Sequence, residues 1–392
     1  HLDFGVPPQA RPAPDIEVPA GTILTAVIDD GIAFAHDLFR SGLTQSRVAF
    51  ANILATPTKG GAIPTSAGRI LDQAEINRLL RKNTHCKLLD EEQFYRHAGL
   101  FDESFSPASL SRSHGAHVMA LAAGYDMDAA PENRPILCAL LPSLVTEDST
   151  GQSLLPSLKL ALRRLNRQAA RFVLPNGQQP PVVFNFSYGN SSGPHDGTSP
   201  VEIEFERWFS GGSDQIRRLI LPVGNGNLSQ THAQVRFDQG PRHLDLLVLP
   251  DDRTPSLVEM WMPYAGPAPL PPLVEVTVTT PEGLTSGPVS VSGEYDQVLC
   301  DCDGKEVARL SYRFAEWPTE RGVIVLSIRP TASLHPAGLA PSGQWRIEMA
   351  PLEITLSDLV EVWVARDETI PGFKPGGRQS YFNNPDYVRF DT

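Results

Sequence analysis

The sequence predicts an α/β fold followed by a β-rich unit, and a change of pattern near Gly240 supports this prediction. Before that point, short apolar runs alternate with amphipathic helical stretches. This alternation is typical of a parallel sheet with helices on both faces. After it, short segments of alternating hydrophobicity are separated by Pro and Gly, as in a β-sandwich or jelly-roll-like unit. The 392 residues are long enough for two domains.

The elements of the α/β part lie within residues 21–240. The first predicted strand, Thr22–Asp29, is apolar and β-branched and ends in an Asp-Asp-Gly turn. A helix is predicted over His114–Ala123, with Ser113 placed to cap it. The other predicted elements are the helix Ile70–Lys82, the strand Pro135–Leu141, the helix Leu155–Phe172, the strand Pro181–Ser187, the helix Val201–Phe209 and the strand Leu219–Val223.

The β-rich unit is expected to cover residues 241–370. It is preceded by the α/β part and by a polar, proline-rich lead-in at residues 1–20, and followed by a Gly-, Asn- and Pro-rich segment at residues 371–392. Its predicted strands are His243–Leu249, Ser256–Met262, Leu273–Thr279, Val289–Val291, Val323–Ile328, Gln344–Met349 and Leu359–Ala365.

Composition excludes some classes of partner. The chain carries 33 Lys and Arg against 45 Asp and Glu, a net charge of -12, so a uniform basic footprint for nucleic acid is absent. No run of eighteen apolar residues is present, so we expect no membrane span.

The four cysteines include Cys300 and Cys302, which are too close for an ordinary disulfide, and none has zinc-site spacing. We therefore expect four reduced thiols, and reduced thiols favour a cytoplasmic protein. Secretion stays open, because the sequence begins at His1 and not at Met.

Three segments place chemically useful side chains at a strand end or a helix start, where the working residues of parallel sheets gather. Asp29 ends a buried strand, although a turn aspartate bonded to its own backbone is the alternative. His114 begins a helix, and the alternatives are a surface histidine or a metal ligand paired with His117. Asn225 lies between two glycines, where its amide could donate to an oxyanion or simply occupy a left-handed turn.

Two of these segments resemble motifs of the subtilisin family of serine proteases. Asp29-Asp30-Gly31, followed by His36-Asp37-Leu38, resembles the aspartate motif, and its double aspartate is closest to the proprotein-convertase version. Ser113-His114-Gly115-Ala116-His117-Val118, followed by Ala123-Gly124, resembles the histidine motif. Met119 and Ala120 replace the alanine and glycine that the family has there.

Two further motifs follow in the family's order. The segment 183–189, Val-Phe-Asn-Phe-Ser-Tyr-Gly, resembles the strand that pairs with substrate, and the segment 221–225, Leu-Pro-Val-Gly-Asn, is similar to the one that supplies the oxyanion asparagine. The resemblance covers about residues 21–240 and implies a subtilisin-like parallel sheet with an inserted β-rich unit.

The resemblance implies a serine endopeptidase that hydrolyses peptide bonds through an acyl-enzyme. His114 would be the general base and then the general acid, Asp29 would orient its imidazole, and Asn225 would donate to the oxyanion. Ser187, Tyr188 and Gly189 would line the cleft and pair with an extended peptide or protein substrate. Calcium binding is common in the family, but no calcium-ligand loop stands out in this sequence, so the resemblance implies no certain cofactor.

The sequence departs from the family in two ways. Asp29 and His114 are 85 residues apart, so residues 43–112 are expected to be an insertion. The family's Gly-Thr-Ser-x-Ala-x-Pro motif does not follow Asn225, and Gly197-Thr198-Ser199 comes before it. Because Pro200 follows Ser199 at a helix start, we expect this serine to be a helix cap.

We therefore expect a fragment in which the nucleophilic serine lies beyond residue 392. Residues 241–370 would be an insert, and residues 371–392 a truncated return to the catalytic core. Two alternatives stay open: a catalytically inactive, subtilisin-like peptide-binding module, and a metal-dependent hydrolase that uses Asp29, His114 and His117.

Overall fold

The computed structural model describes residues 14–54, 68–100, 114–142, 145, 148, 151, 153–189, 191–210, 215–264, 266, 272–290, 295–316, 318–333, 338–354, 358–367 and 376–388. The chain divides into two compact units. The first consists of residues 1–148, 153–189 and 204–223, and the second of residues 149–152, 190–203 and 224–392. The predicted fold class, a parallel sheet with helices followed by antiparallel β-rich sheets, is confirmed.

The first unit contains twelve strands within the described residues. They are β1 (Ile16–Glu17), β2 (Leu24–Asp29), β3 (Arg40–Gly42), β4 (Gln45–Ser46), β5 (Val48–Ile53), β6 (Arg69–Asp72), β7 (Thr84–His85), β8 (Leu88–Leu89), β9 (Ile136–Leu140), β10 (Phe172–Val173), β11 (Val182–Phe186) and β12 (Arg217–Ile220). The α-helices of the described chain are α1 (Gln73–Asn83), α2 (Glu91–Ala98), α3 (His114–Ala123), α4 (Leu154–Ala169) and α5 (Pro200–Phe209), and short 3₁₀ helices span Asp37–Phe39 and Met127–Ala129.

Six strands of the first unit form one sheet in the order β12-β11-β2-β9-β5-β6. Every neighbouring pair is parallel except β5 and β6, which run antiparallel. Strands β9 and β5 are buried at every residue, as expected for strands covered on both faces. Helix α3 packs on β2, and α4 packs on β9, β2 and β5. The carboxyl end of β2 therefore lies between two parallel neighbours and beside a helix.

The expectation that all of residues 43–112 are an insertion is wrong for strand β5, which lies within this range. Strand β5 is a core strand of the six-stranded sheet. The sequence hid it because Asn52 interrupts its apolar run. The Asn52 amide is buried and donates to Cys138 O and to Gln168 Oε1, both at 2.9 Å, so its polar atoms are satisfied inside the fold.

Several other element boundaries differ from the prediction, among them the end of helix α4, which lies at Ala169 and not at Phe172, where β10 begins. Helix α1 begins at Gln73 and not at Ile70, because Arg69–Asp72 pairs with β5 and Asp72 caps the helix by accepting from Glu75 N at 2.8 Å. Strand β12 ends at Ile220, so the residues just before Asn225 are not part of the sheet.

The second unit contains ten described strands. They are β13 (His232–Val235), β14 (Arg242–Val248), β15 (Ser256–Trp261), β16 (Val274–Thr279), β17 (Asp296–Cys300), β18 (Glu306–Ala315), β19 (Arg321–Ile328), β20 (Gly343–Pro351), β21 (Val360–Val364) and β22 (Tyr381–Phe382). They form two antiparallel sheets, in the orders β13-β21-β15-β19-β18-β17 and β16-β20-β14-β22. One core cluster draws residues from both sheets, including the fully buried Trp345, so the unit is a β-sandwich.

The limits of this unit differ from the expected residues 241–370. Strand β13 begins at His232, and β22 pairs with β14. Ser380 is fully buried, with its hydroxyl 2.9 Å from that of Ser256. Residues 376–388 thus belong to the second unit and not to a segment returning to the first unit.

Two details of the sandwich also differ from the sequence prediction. Of the expected strand Val289–Val291, Val289 makes only an isolated bridge to Val276, and Val291 lies outside the described residues. The hairpin of β17 and β18 was missed because its outward-facing polar residues dilute the apolar alternation. Within the described part of the chain, no helix combines the length and apolar character that crossing a membrane requires.

Candidate active site

Asp29 is the last residue of β2, and its carboxylate is buried, with 6% of the residue exposed. Its Oδ1 accepts from Asp30 N at 2.8 Å, whereas Oδ2 is buried without a hydrogen-bond partner among the described residues. Burial raises the pKa of Asp29, and the hydrogen bond from His114 opposes this effect. A carboxylate this poorly solvated gains from a cationic or hydrogen-bonding neighbour.

His114 is that neighbour. It is the first residue of α3, and its Nδ1 lies 2.8 Å from Asp29 Oδ1. The hydrogen bond to Asp29 raises the pKa of His114, while partial burial opposes it. The side chain is 58% exposed, and Nε2 makes no hydrogen bond with the described residues. The ring is therefore oriented through Nδ1 and leaves Nε2 available to accept a proton.

Gly115 allows α3 to approach the end of β2. A Cβ atom at this position would lie 1.9 Å from Asp30 O and 2.9 Å from Asp29 Cβ, distances that no side chain tolerates. With glycine there, Gly115 N donates to Asp30 Oδ1 at 3.2 Å. The buried Asp30 carboxylate thus accepts a hydrogen bond from the N-terminal turn of the helix. Ser113, the expected cap, lies outside the described residues.

Sequence reasoning assigned no role of its own to Asp30. The signal was nonetheless present, because the first N–H groups of a helix need acceptors and a second aspartate follows Asp29 directly. The structure places Asp30 between the strand that carries Asp29 and the helix that carries His114.

Ser187, Tyr188 and Gly189 follow β11 at the same edge of the sheet as Asp29. Strands β11 and β2 are parallel, and Phe186 is in register with Ile28, so the next residue of each strand is Ser187 and Asp29. The Tyr188 hydroxyl donates to Asp148 O at 2.8 Å, and its ring stacks on Phe186. The structure therefore brings this segment to the sheet edge where Asp29 meets His114.

Asn225 lies in an exposed segment, residues 221–228, after β12, and Gly224 before it has a φ of +91°. It falls among the residues of the second unit, so its role as an oxyanion donor stays a prediction.

Ser199 is a helix cap, as the sequence predicted. Its Oγ accepts from Glu202 N at 3.3 Å, and Glu202 Oε2 accepts from Ser199 N at 3.0 Å. This reciprocal pair is a capping box at the start of α5.

One cluster of side chains near the end of β2 could hold a metal ion. Asp29, Asp30 and His114 offer ligand atoms within 4.8 Å of one another, the one such group in the described chain. His117, which the metal-hydrolase alternative requires, is not part of it. In the present geometry His114 Nδ1 lies 2.8 Å from Asp29 Oδ1, and Asp30 Oδ1 accepts from Gly115 N at 3.2 Å.

Comparison with known proteins finds a structural likeness. No protein-family model matches the chain, and no curated protein matches its sequence. Among solved structures, the chain is similar to the Clostridium perfringens CspB protease, with 19% sequence identity and a TM-score of 0.63. The match covers 93% of this chain and 64% of the protease, so the chain spans just under two thirds of that protein's length. The two chains share a fold, a mixed parallel sheet with helices followed by antiparallel β-rich sheets, which is the subtilisin-like architecture implied by the sequence motifs.

Proposed function

We propose that this chain supplies the aspartate and histidine of a subtilisin-type serine endopeptidase. The observation that carries the proposal is the 2.8 Å hydrogen bond from His114 Nδ1 to the buried Asp29 Oδ1. In a serine protease the aspartate holds the imidazole in the tautomer whose Nε2 accepts the serine proton, and it stabilises the imidazolium that forms. A buried carboxylate paired with a half-exposed ring has the arrangement that this role needs.

His114 acts as general base towards a serine and then as general acid towards the leaving amine. The raised pKa of His114 favours the protonated intermediate, because Asp29 accepts the Nδ1 hydrogen bond and compensates the new charge. The proposal assigns the nucleophile to a serine outside residues 1–392, since no Gly-Thr-Ser-x-Ala-x-Pro segment occurs among them and Ser199 is engaged in a capping box.

The substrate is a peptide or protein in extended conformation. Ser187 to Gly189 continue β11 beyond its last sheet residue, and Gly189 is exposed, with no described atom within 4 Å of the position that a Cβ would take. An extended peptide pairs with such a backbone as an added strand. The hydrogen bond from the Tyr188 hydroxyl to Asp148 O holds the segment in place. Asn225 is the proposed oxyanion donor, and its replacement by alanine is expected to lower kcat by about 10²–10³-fold.

The test uses the product of the complete gene and a fluorophosphonate probe, which reacts with activated serines. We expect the probe to label one serine, identified by peptide mass spectrometry, outside residues 1–392. Labelling should be lost in His114→Ala and reduced by about 10⁴-fold in Asp29→Asn. The matched control is His117→Ala, because His117 is an exposed histidine of the same helix and should leave labelling unchanged.

Three results would contradict the proposal. Labelling of Ser199 would place the nucleophile elsewhere, and peptide hydrolysis that persists in His114→Ala would remove the histidine from the mechanism. Saturable peptide binding without labelling or hydrolysis would favour the peptide-binding module.

A further inference from the structure

One cavity of the first unit is lined by arginines. It has a volume of about 540 Å³, and its lining includes Arg163, Arg164, Arg167 and Arg171, together with the apolar side chains of Phe50 and Leu160. None of these residues belongs to the proposed catalytic pair or to the proposed substrate segment. Volumes of this size are typical of sites for small ligands.

The charge of helix α4 is unusual for this chain. The helix contains Lys159, Arg163, Arg164 and Arg167 and no acidic residue, whereas the whole chain carries a net charge of -12. Arg163 and Arg167 are four residues apart and therefore share a helix face, where like charges weaken a helix. A basic residue near the end of α4 complements the helix dipole, but this accounts for Arg167 better than for the two arginines a turn earlier.

The rim of the cavity already holds an oxyanion. Arg171 binds the carboxylate of Asp15 in a bidentate fashion, with Nε–Oδ1 at 2.8 Å and Nη2–Oδ2 at 2.6 Å. Its guanidinium also lies 5.1 Å from the centre of the Phe50 ring. An arginine fork and an aromatic face thus occur side by side in this cavity, a combination that recognises planar anions and the organic groups attached to them.

Arg164 lies deeper than a typical surface arginine, and burial lowers the pKa of its guanidinium. Arg163 and Arg167 are exposed and can close on a ligand from the solvent side.

We propose that this cavity binds a multiply charged organic anion that carries phosphate or carboxylate groups. Arg163, Arg164 and Arg167 contact the anionic oxygens, and Phe50 and Leu160 contact the organic part. Guanidinium groups suit both kinds of oxyanion, since their paired N–H donors match two oxygens at once.

Isothermal titration calorimetry of the full chain at low salt tests this proposal, with inorganic pyrophosphate and citrate as probes. We expect saturable binding of at least one probe, weakened at least tenfold in the double variant Arg163→Gln/Arg167→Gln and by added NaCl. The matched control is Arg81→Gln, an exposed arginine of helix α1 that does not line the cavity, and it should bind like the wild type. The probe that binds with the higher affinity, pyrophosphate or citrate, shows whether the cavity prefers phosphate or carboxylate groups.

Because Arg163 and Arg167 are exposed, the double variant should keep the wild-type circular dichroism spectrum and melting temperature. The proposal is overturned by absence of saturable binding at millimolar probe, by equal affinity in the double variant, or by binding to phosphatidylserine vesicles alone. The experiment measures no hydrolysis, so its outcome is independent of the proposed protease function.

Discussion

Replacing Gly115 by alanine tests whether the close approach of α3 to β2 holds the Asp29–His114 pair together. Intrinsic propensity alone predicts a stabilisation of about 1 kcal/mol, because glycine is a poor helix residue and Gly115 lies within α3. Packing predicts the opposite. The sign of the change in the free energy of unfolding therefore distinguishes the two effects.

The structure indicates that packing dominates. The new Cβ would lie 1.9 Å from Asp30 O, a backbone atom that no side-chain rotation can move. Helix α3 must therefore shift by about 1 Å, and strain of this kind costs about 1–3 kcal/mol. After subtracting the propensity gain, we expect a net destabilisation of up to about 2 kcal/mol. The shift also lengthens the 2.8 Å hydrogen bond between His114 and Asp29.

Two measurements check this prediction. Urea unfolding gives the change in the free energy of unfolding, and an NMR pH titration gives the pKa of His114. That pKa should fall in Gly115→Ala, because the hydrogen bond to Asp29 is the largest effect that raises it. The matched control is Gly42→Ala, where the new Cβ would meet its nearest neighbour, Gln45 Cβ, at an ordinary 3.6 Å.

A variant that is about 1 kcal/mol more stable, with an unchanged His114 titration, would refute the reasoning. It would mean that α3 has room at Gly115 and that the geometry of the Asp29–His114 pair does not depend on a glycine there.

Three further predictions concern other groups. Asp29→Asn should lower the pKa of His114. In the wild-type protein, the pair stabilises the fold at pH values below the unfolded histidine pKa. Urea unfolding across pH should show that this stability disappears as pH rises through the raised folded pKa of His114. Burial, and then the charge of Asp252, raises the pKa of Asp367 to about 7, so the folded protein should lose stability between about pH 4 and pH 7. Asp367→Asn should therefore increase the free energy of unfolding at about pH 8, by at most about 4 kcal/mol, and change it little at about pH 3, where the carboxyl is protonated in both states. Ser199→Ala should cost about 1 kcal/mol through loss of the capping box, without affecting fluorophosphonate labelling of the complete protein.

Each of these predictions has a clear contrary result. An unchanged His114 titration in Asp29→Asn would mean that the hydrogen bond is not formed in solution. A destabilised Asp367→Asn at alkaline pH would mean that the carboxylate is compensated in the folded state. Loss of labelling in a folded Ser199→Ala protein would identify that serine as the nucleophile.

The features that the sequence predicted correctly depend on contacts between residues close together in the chain. Helix α3 spans His114–Ala123 in both prediction and structure, and the strand before Asp29 ends where the sequence placed its end. The capping box of Ser199 and Glu202 was also predictable, because its partners are three residues apart. Strand β5 was hidden, because the buried Asn52 is satisfied by Gln168, 116 residues later.

The sequence by itself determined which residues carry candidate chemistry and which local elements hold them, since these depend on contacts within a few residues. Only the tertiary structure decided that Asp29 Oδ1 meets His114 Nδ1 across 85 residues of chain and that Gly115 packs on Asp30. It also decided that β22 completes the sandwich. The physical reason is that burial, close backbone approach and strand pairing join segments far apart in the sequence, and a local pattern carries no record of its distant partner.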